Sequence, residues 1–300
     1  MNDTRSVHIP VLLHEVTEYL KPHKGDVIFD GTYGGGGYSR AILEAIGTQG
    51  RIIATDQDRE VVVRETARNK TDGVTNIHLV HANFSEIQTV AQEAAIDAFD
   101  GLMLDLGISS DQLENRERGI SFQHPDAPLD MRMNAAEDNF LTAWGIVNSW
   151  EEQELADVLF HYGGERNSRR IARGIVQARE RQYIETVGDL LAVIETATPG
   201  RGKTHPATKT FQALRIVVNN ELGSLETFLE QVPQVAKKGT RVVIVSFHSL
   251  EERIVKQAFR TWKQDKAGTI DTPKSVGPTR EEEKTNRRSR SARLRSFTFN

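Results

Sequence analysis

The 300-residue chain contains no cysteine, which excludes a disulfide scaffold, thiolate metal sites and a cysteine nucleophile. It also lacks any apolar run approaching the ~18 residues of a membrane span. Its opening, Met1-Asn2-Asp3-Thr4, has neither the basic nor the apolar stretch of a secretory signal. A cytoplasmic protein without membrane association is expected. Positive charge is not in excess either, because 38 basic and 42 acidic residues leave a net charge of -4. A uniformly basic coat is excluded, so a polyanionic partner has to be met by local patches. At ~150 residues per domain, the length predicts two domains or one domain with a large insertion, enough chain to bury a core without covalent staples.

What the chain does contain, in its first third, is an alternation of strands and helices. Residues 26–30 read as a buried strand, followed by a glycine loop and a helix over 38–46. Residues 51–56 and 59–69 repeat that unit, and 76–81 and 99–105 read as strands three and four. Near-continuous apolar strands alternating with helices predict a parallel sheet covered on both faces. Its ligands belong beyond the carboxyl ends of the strands. After Asp105 the rhythm breaks into helical patterns over 151–162, 165–182 and 186–197, punctuated by Pro125, Pro128 and the 199–202 stretch. Residues 207–231 read as one long helix, 241–246 as a buried strand, 250–262 as a helix, 264–292 as polar loop and 294–299 as a last strand at an antiparallel edge. The predicted architecture is a discontinuous α/β domain, residues 1–112 and 209–300, interrupted by a helical domain, residues 113–208.

Between the first strand and the first helix of that alternation lies Asp30-Gly31-Thr32-Tyr33-Gly34-Gly35-Gly36-Gly37. Four successive glycines, Gly34 to Gly37, let a backbone approach a ligand closely at a considerable entropic cost. A dinucleotide fingerprint needs Gly-x-Gly-x-x-Gly, but the sixth position is Ser39 or Arg40 according to register. An acid such as Asp30 would repel a pyrophosphate and suits a ligand with a positive end, such as the amino group of S-adenosylmethionine. Asp56, ending the second strand, is placed to accept both hydroxyls of a ribose diol. Asp56 alone does not separate the two cofactors, whereas Asp30 and the missing glycine favour the methyl donor. A phosphate loop at Gly202-Lys203-Thr204 fails because Ala197 stands where a glycine is needed. No metal is expected, since His78 and His81 fall on opposite faces of their strand.

These residues belong to a longer series. It includes His8-Ile9-Pro10-Val11-Leu12-Leu13-His14-Glu15, the Asp30 loop, Leu104-Asp105-Leu106-Gly107-Ile108-Ser109-Ser110-Asp111-Gln112-Leu113, Arg118-Gly119-Ile120-Ser121-Phe122 and Leu129-Asp130-Met131-Arg132-Met133. It continues with Ser168-Arg169-Arg170-Ile171-Ala172, the segment 205–215, Ser246-Phe247-His248-Ser249-Leu250-Glu251 and Ser289-Arg290-Ser291-Ala292. In this series the chain resembles, nearly end to end, the bacterial ribosomal RNA small-subunit methyltransferase H family. The resemblance implies a class I, Rossmann-like S-adenosylmethionine-dependent methyltransferase sheet. It also implies methylation of N4 of a cytidine in 16S rRNA, with the rRNA or the small subunit as partner and a homodimer as an open arrangement. The family's donor contacts fall on Gly36, Gly37, Tyr38, Asp56, Phe84, Asp105 and Gln112, beside Asp30 and Gly34 of the loop. Tyr38 stands where the family usually has histidine, which is harmless to a backbone contact, and Arg287 replaces a usual proline.

Several residues carry competing readings. Phe84 is either core or a stack beside adenine. Asp105, ending the fourth strand, is either a cap or the acceptor that draws a proton from an amine whose lone pair is delocalised into the ring. In-line positioning supplies most of the rate for such a transfer. His248 follows the fifth strand and is a second catalytic candidate, and Phe247 or His248 could stack on a flipped base. Arginines crowd two stretches, 166–181 and 287–295, in a chain of net charge -4. Read as phosphate contacts, they assign Arg169, Arg170, Arg173 and Arg290 to RNA, with Lys209 and Arg215 of the 205–215 segment. Two alternatives stay open: a nicotinamide-dependent oxidoreductase and a non-catalytic RNA-binding assembly factor.

Overall fold

The computed structural model describes residues 10–134, 141–198 and 205–300. The 199–202 stretch, Gly202-Lys203-Thr204 and the first residues of the 8–15 segment lie outside them. The contacts divide the chain into two units, Met1–Gly107 with Leu222–Asn300, and Ile108–Glu221. The crossings fall after Gly107 and Glu221 rather than after residues 112 and 208, so the helix Ala207–Val218 belongs to the helical unit.

The first unit opens with α1 (Leu13–Leu20). It continues as β1 (Val27–Asp30), α2 (Gly37–Ile46), β2 (Arg51–Asp56), α3 (Arg59–Thr71), β3 (Ile77–His81), α4 (Ile87–Glu93) and β4 (Phe99–Asp105). The helical unit then supplies α5 (Ser110–Glu114), α6 (Ala143–Ser149), α7 (Glu152–His161), α8 (Ser168–Arg179), α9 (Val187–Ala197) and α10 (Ala207–Val218). The chain returns through α11 (Glu221–Val235), β5 (Ala236–Ser246), α12 (Ser249–Gln264), β6 (Gly268–Ile270), α13 (Arg280–Thr285) and β7 (Arg293–Phe299).

The seven strands form one sheet in the order β3-β2-β1-β4-β5-β7-β6. All pairs from β3 to β5 are parallel, and β7 runs antiparallel to both β5 and β6. The inner stretches of β1, β2, β4 and β5 are largely apolar because both faces are covered. Phe29, Leu102, Leu104 and Ile244 point into a core with Phe228 and Phe297, and the alternate residues Ile28, Met103, Val243 and Val245 into a core with Val16 and Ile42. β1 has β2 on one side and β4 on the other, so the chain direction across the sheet reverses beside β1. That reversal opens a crevice at the carboxyl ends of β1 and β4.

Three expectations are corrected. The antiparallel strand β7 is not the edge, because β6 pairs outside it. Residues 264–292 hold β6 and α13 rather than loop, because polar groups find partners there. Thr279 caps α13, and the Glu282 carboxylate accepts the Leu12 N–H at 2.8 Å, fastening the segment to the start of α1. Residues 207–231 form two helices, broken at Asn220 with φ +47°. Asn219 ends α10 by accepting the Met133 N–H at 2.7 Å and donating to Met131 O at 2.9 Å.

In the helical unit Ile171, Ala172 and Ile175 of α8 share a buried stripe at helical spacing and pack with Leu155, Leu190 and Phe211. The conspicuous 118–122 and 129–133 motifs serve this unit's own backbone. Arg118 is buried and donates to Met133 O, and Met131 N–H returns a bond to Arg118 O at 2.7 Å. A Cβ on Gly119 would come within 1.9 Å of Pro128 O, so only glycine allows that approach.

Candidate active site

Three acids end three neighbouring strands of the first unit: Asp30 on β1, Asp56 on β2 and Asp105 on β4. Asp30 is fully buried beneath the glycine loop. Its Oδ2 accepts the Ser39 hydroxyl at 2.6 Å and its Oδ1 the Thr32 N–H at 3.2 Å. The structure therefore shows Asp30 bracing the loop and the first turn of α2. Thr32 carries the brace onward, since its Oγ1 accepts the Asp105 N–H at 2.7 Å.

Asp56 holds the loop from the other side. Its Oδ2 accepts the Gly34 N–H and its Oδ1 the Asp58 N–H, both at 2.8 Å. Each oxygen keeps a second lone pair for a hydroxyl. The glycines divide by what a side chain would meet. A Cβ on Gly31 would lie 2.3 Å from Leu104, on Gly36 2.6 Å from the Tyr33 hydroxyl and on Gly37 2.5 Å from Pro10. Gly34 and Gly35 face open space, with nothing within 4 Å of that position. The first group lets the loop sink onto the sheet, and the second leaves a cradle above it.

Burial raises all three acids. Asp30 and Asp56 are pushed up to about 6, and Asp105 to about 8, with the Asp30 charge adding to the other two. Asp105 Oδ1 is buried and meets no hydrogen-bond partner among the described residues. The Tyr38 phenol touches the Asp105 carboxyl and donates to Val11 O, and burial raises its own pKa. Tyr38 thus contributes a side chain as well as a backbone position. An open glycine cradle ringed by desolvated carboxyls suits a ligand carrying hydroxyls and positive charge.

The remaining candidates separate. Phe84, in the turn after β3, sets its ring edge-on to Phe228 at 5.8 Å and so belongs at least partly to the core. His248 caps α12: its Nδ1 accepts the Glu251 N–H at 3.4 Å, and its Nε2 lies 3.1 Å from Glu251 Oε1. Glu251 is almost fully buried and also accepts the Phe247 N–H at 2.8 Å. The sequence reading passed over Glu251, Thr32 and Ser39. The spacing of His248 and Glu251 in a capping box was the available signal for the first of these.

Gln112 lies in the helical unit, where its side chain accepts the Ser109 N–H at 3.1 Å. Arg169, Arg170 and Arg173 are exposed on α8, with Arg173 3.5 Å from Glu152. Lys209 is exposed and donates to Gly164 O at 3.0 Å, and Arg290 is exposed in the turn before β7. Two arginines are corrected. Arg215 forms a two-bonded pair with Glu221 at 2.8 and 3.0 Å, and Arg295 of the tail cluster is 6% exposed and bonds Glu252 at 2.8 Å. Each neutralises a neighbouring acid.

The sheet order, the reversal beside β1 and the acid-flanked glycine loop define a Rossmann-like methyltransferase fold. The sequence profile of the MraW methylase family matches residues 5–300, and the chain belongs to that family. It is 44% identical to the ribosomal RNA small subunit methyltransferase H of Geotalea uraniireducens, over 96% of this chain and 97% of that one. The protein of the same name from Symbiobacterium thermophilum is 42% identical over 96% and 95%. That from Anaplasma marginale is 44% identical over 97% and 98%. Among solved structures, an rRNA methylase from Streptococcus thermophilus aligns with a TM-score of 0.43 at 9% identity, over 98% of this chain and 99% of that one.

Proposed function

We propose that this chain transfers the methyl group of S-adenosylmethionine to N4 of a cytidine in 16S rRNA, as free RNA or within the small subunit. The observation that carries the reading is the open cradle at Gly34 and Gly35 between the carboxyls of Asp56 and Asp105 in a chain of the MraW family. The donor supplies an electrophilic methyl on a sulfonium. Asp56 would accept the ribose hydroxyls on the free lone pairs of its two oxygens. Asp30 would act from beneath, by holding Thr32 and the start of α2, and by its charge on a cationic ligand. Phe84 offers a ring edge to an adenine at the mouth of β3, and Gln112 is retained as a donor contact from the resemblance.

Asp105 is the group suited to the nucleophile. A cytosine amine attacks poorly because its lone pair is shared with the ring. The unpartnered Oδ1 of Asp105 can accept one N–H, localise the lone pair on nitrogen, and take the proton that the new N–C bond displaces. His248 acts here as a positioning residue, through the cap it forms with Glu251. The exposed arginines of α8, with Lys209 and Arg290, supply phosphate contacts in a chain of negative net charge.

The reading includes a cytoplasmic location, where rRNA is found. It also retains a homodimer, which light scattering would reveal. The function is tested by mapping N4-methylcytidine in 16S rRNA from cells with and without the gene. The mark should vanish with the gene, return with the wild-type chain and not return with Asp56→Ala. An unchanged rRNA pattern rejects the assignment, and a dinucleotide bound to the purified chain would favour the oxidoreductase instead.

A further inference from the structure

Two exposed aromatic side chains of the helical unit touch each other. Trp144 on α6 is 39% exposed and Tyr183, between α8 and α9, is 59% exposed, with ring centroids 5.8 Å apart and planes inclined at 54°. The core does not account for them, yet polar bonds fix their positions. The Asn148 side chain grips Ile184 from both sides, donating to its carbonyl at 2.9 Å and accepting its N–H at 3.0 Å. The indole N–H of Trp144 donates to Glu185 Oε2 at 3.0 Å. Arg179 donates to Val147 O at 2.9 Å and ties α8 to α6 beside them. The segment carrying Tyr183 is thereby fastened to the helix carrying Trp144, and both side chains stay exposed.

The surroundings are those of a polyanion track. Arg181 is exposed next to Tyr183, and the exposed Arg169, Arg170 and Arg173 lie further back along α8. At ~1.5 Å per residue, the ten steps from Arg169 to Arg179 cover about 15 Å of helix. Exposed Glu180 offsets one charge, Glu152 lies 3.5 Å from Arg173, and the Glu185 carboxylate is engaged by the indole. Cations followed by fixed aromatic faces are the combination that holds an unpaired strand, because every base has a face to stack whatever its sequence.

We propose that Trp144 and Tyr183 form a stacking platform for unpaired bases of the RNA substrate, adjoining the arginines of α8. The platform rests on the reading of RNA as substrate and adds to it that the bound RNA is single-stranded here. Bases inside a duplex have both faces covered, so a paired stem gains nothing from the rings. The platform holds bases without choosing among them, and selection of the target cytidine is left to the methyl-transfer site.

The test uses the full chain and two labelled probes of about a dozen nucleotides, an oligoadenylate and an abasic strand with the same number of phosphates. Tyr183→Ala and Trp144→Ala should each weaken oligoadenylate binding by roughly tenfold, while Tyr183→Phe stays near wild type. Neither alanine variant should change affinity for the abasic strand or the slope of log affinity against log salt, because the phosphate contacts remain. Equal losses on both strands would reveal general damage to the unit and overturn the platform. Unchanged oligoadenylate binding would equally overturn it and return the rings to another partner, such as a protein. The two readings fail separately. Ring-dependent binding without rRNA methylation sinks the enzyme assignment alone, and methylation with ring-independent binding sinks the platform alone.

Discussion

Asp105 can take a proton from an amine only when ionised, and in the ligand-free chain burial and the neighbouring Asp30 charge push its pKa to about 8. Below that value the carboxyl is mostly neutral and the acceptor is lost; above it the acceptor is present. A cationic donor in the cradle favours the ionised form, so with donor bound the transition moves to lower pH. Single-turnover methyl transfer at saturating donor and RNA should therefore rise with pH, with a midpoint no higher than about pH 8. Asp105→Asn keeps the shape and loses the base. Its rate should fall by about 10²-fold or more, and the rising limb should disappear. A variant that keeps both the wild-type rate and the limb would remove Asp105 from the chemistry. The groups facing this carboxyl are the Tyr38 phenol, Asp30 and Glu251, so a shift of the limb in another variant reports on one of those contacts.

The element that makes the site is the turn from β1 into α2, and its glycines should fail in different ways. Gly31→Ala drives a methyl into Leu104 and the Phe84 Cβ, at 2.3 and 2.8 Å, with the sheet beneath unable to yield. Overpacking of that kind costs about 1–3 kcal/mol, and a lowered Tm should be the main result. Gly34 has φ +53° and open space around it, so Gly34→Ala adds strain of about 1–2 kcal/mol and places a methyl in the cradle. Its distinguishing result is a loss of donor affinity, measured by calorimetry, out of proportion to the fall in Tm. Equal donor affinity in wild type and Gly34→Ala would mean the ligand sits elsewhere. Much of this element was legible in advance. Apolar runs that stop at Asp30, Asp56 and Asp105 mark strand ends directly, and a run of four glycines has few other uses. Partners were less legible. Asp30 reads as a ligand group, but Ser39 and Thr32 occupy its oxygens, and only the folded α2 brings Ser39 there. Arg215 and Arg295 read as free cations because Glu221 and Glu252 meet them through the fold. The break at Asn220 was hidden because apolar periodicity runs across it, while the bonds that end α10 reach back to Met131 and Met133. The 264–292 segment was hidden for the opposite reason, since its order comes from polar contacts that leave no apolar pattern.

At the scale of the whole molecule, a chain of net charge -4 that acts on a polyanion has to overcome its own field. The exposed arginines grouped on α8 would supply that positive charge locally. Each phosphate neutralised adds about 0.7 to the dependence of log affinity on log salt for a single strand. Replacing Arg169, Arg170 and Arg173 by alanine should therefore flatten the slope by about two and weaken RNA binding. Donor affinity should be unchanged, because the cradle belongs to the other unit. An unaltered slope would leave these arginines as a solvated face. β4 and β5 are hydrogen-bonded neighbours, yet the whole helical unit is threaded between them in the chain. On the ribosome, with elongation at about 5–20 residues per second, β4 waits on the order of ten seconds for its partner. Meanwhile Leu102, Met103 and Leu104 belong to a sheet that cannot yet be closed. The helical unit is one continuous segment of the chain and can fold within that interval. The nascent half-sheet has no such resource, and it is the species that a chaperone would be expected to hold.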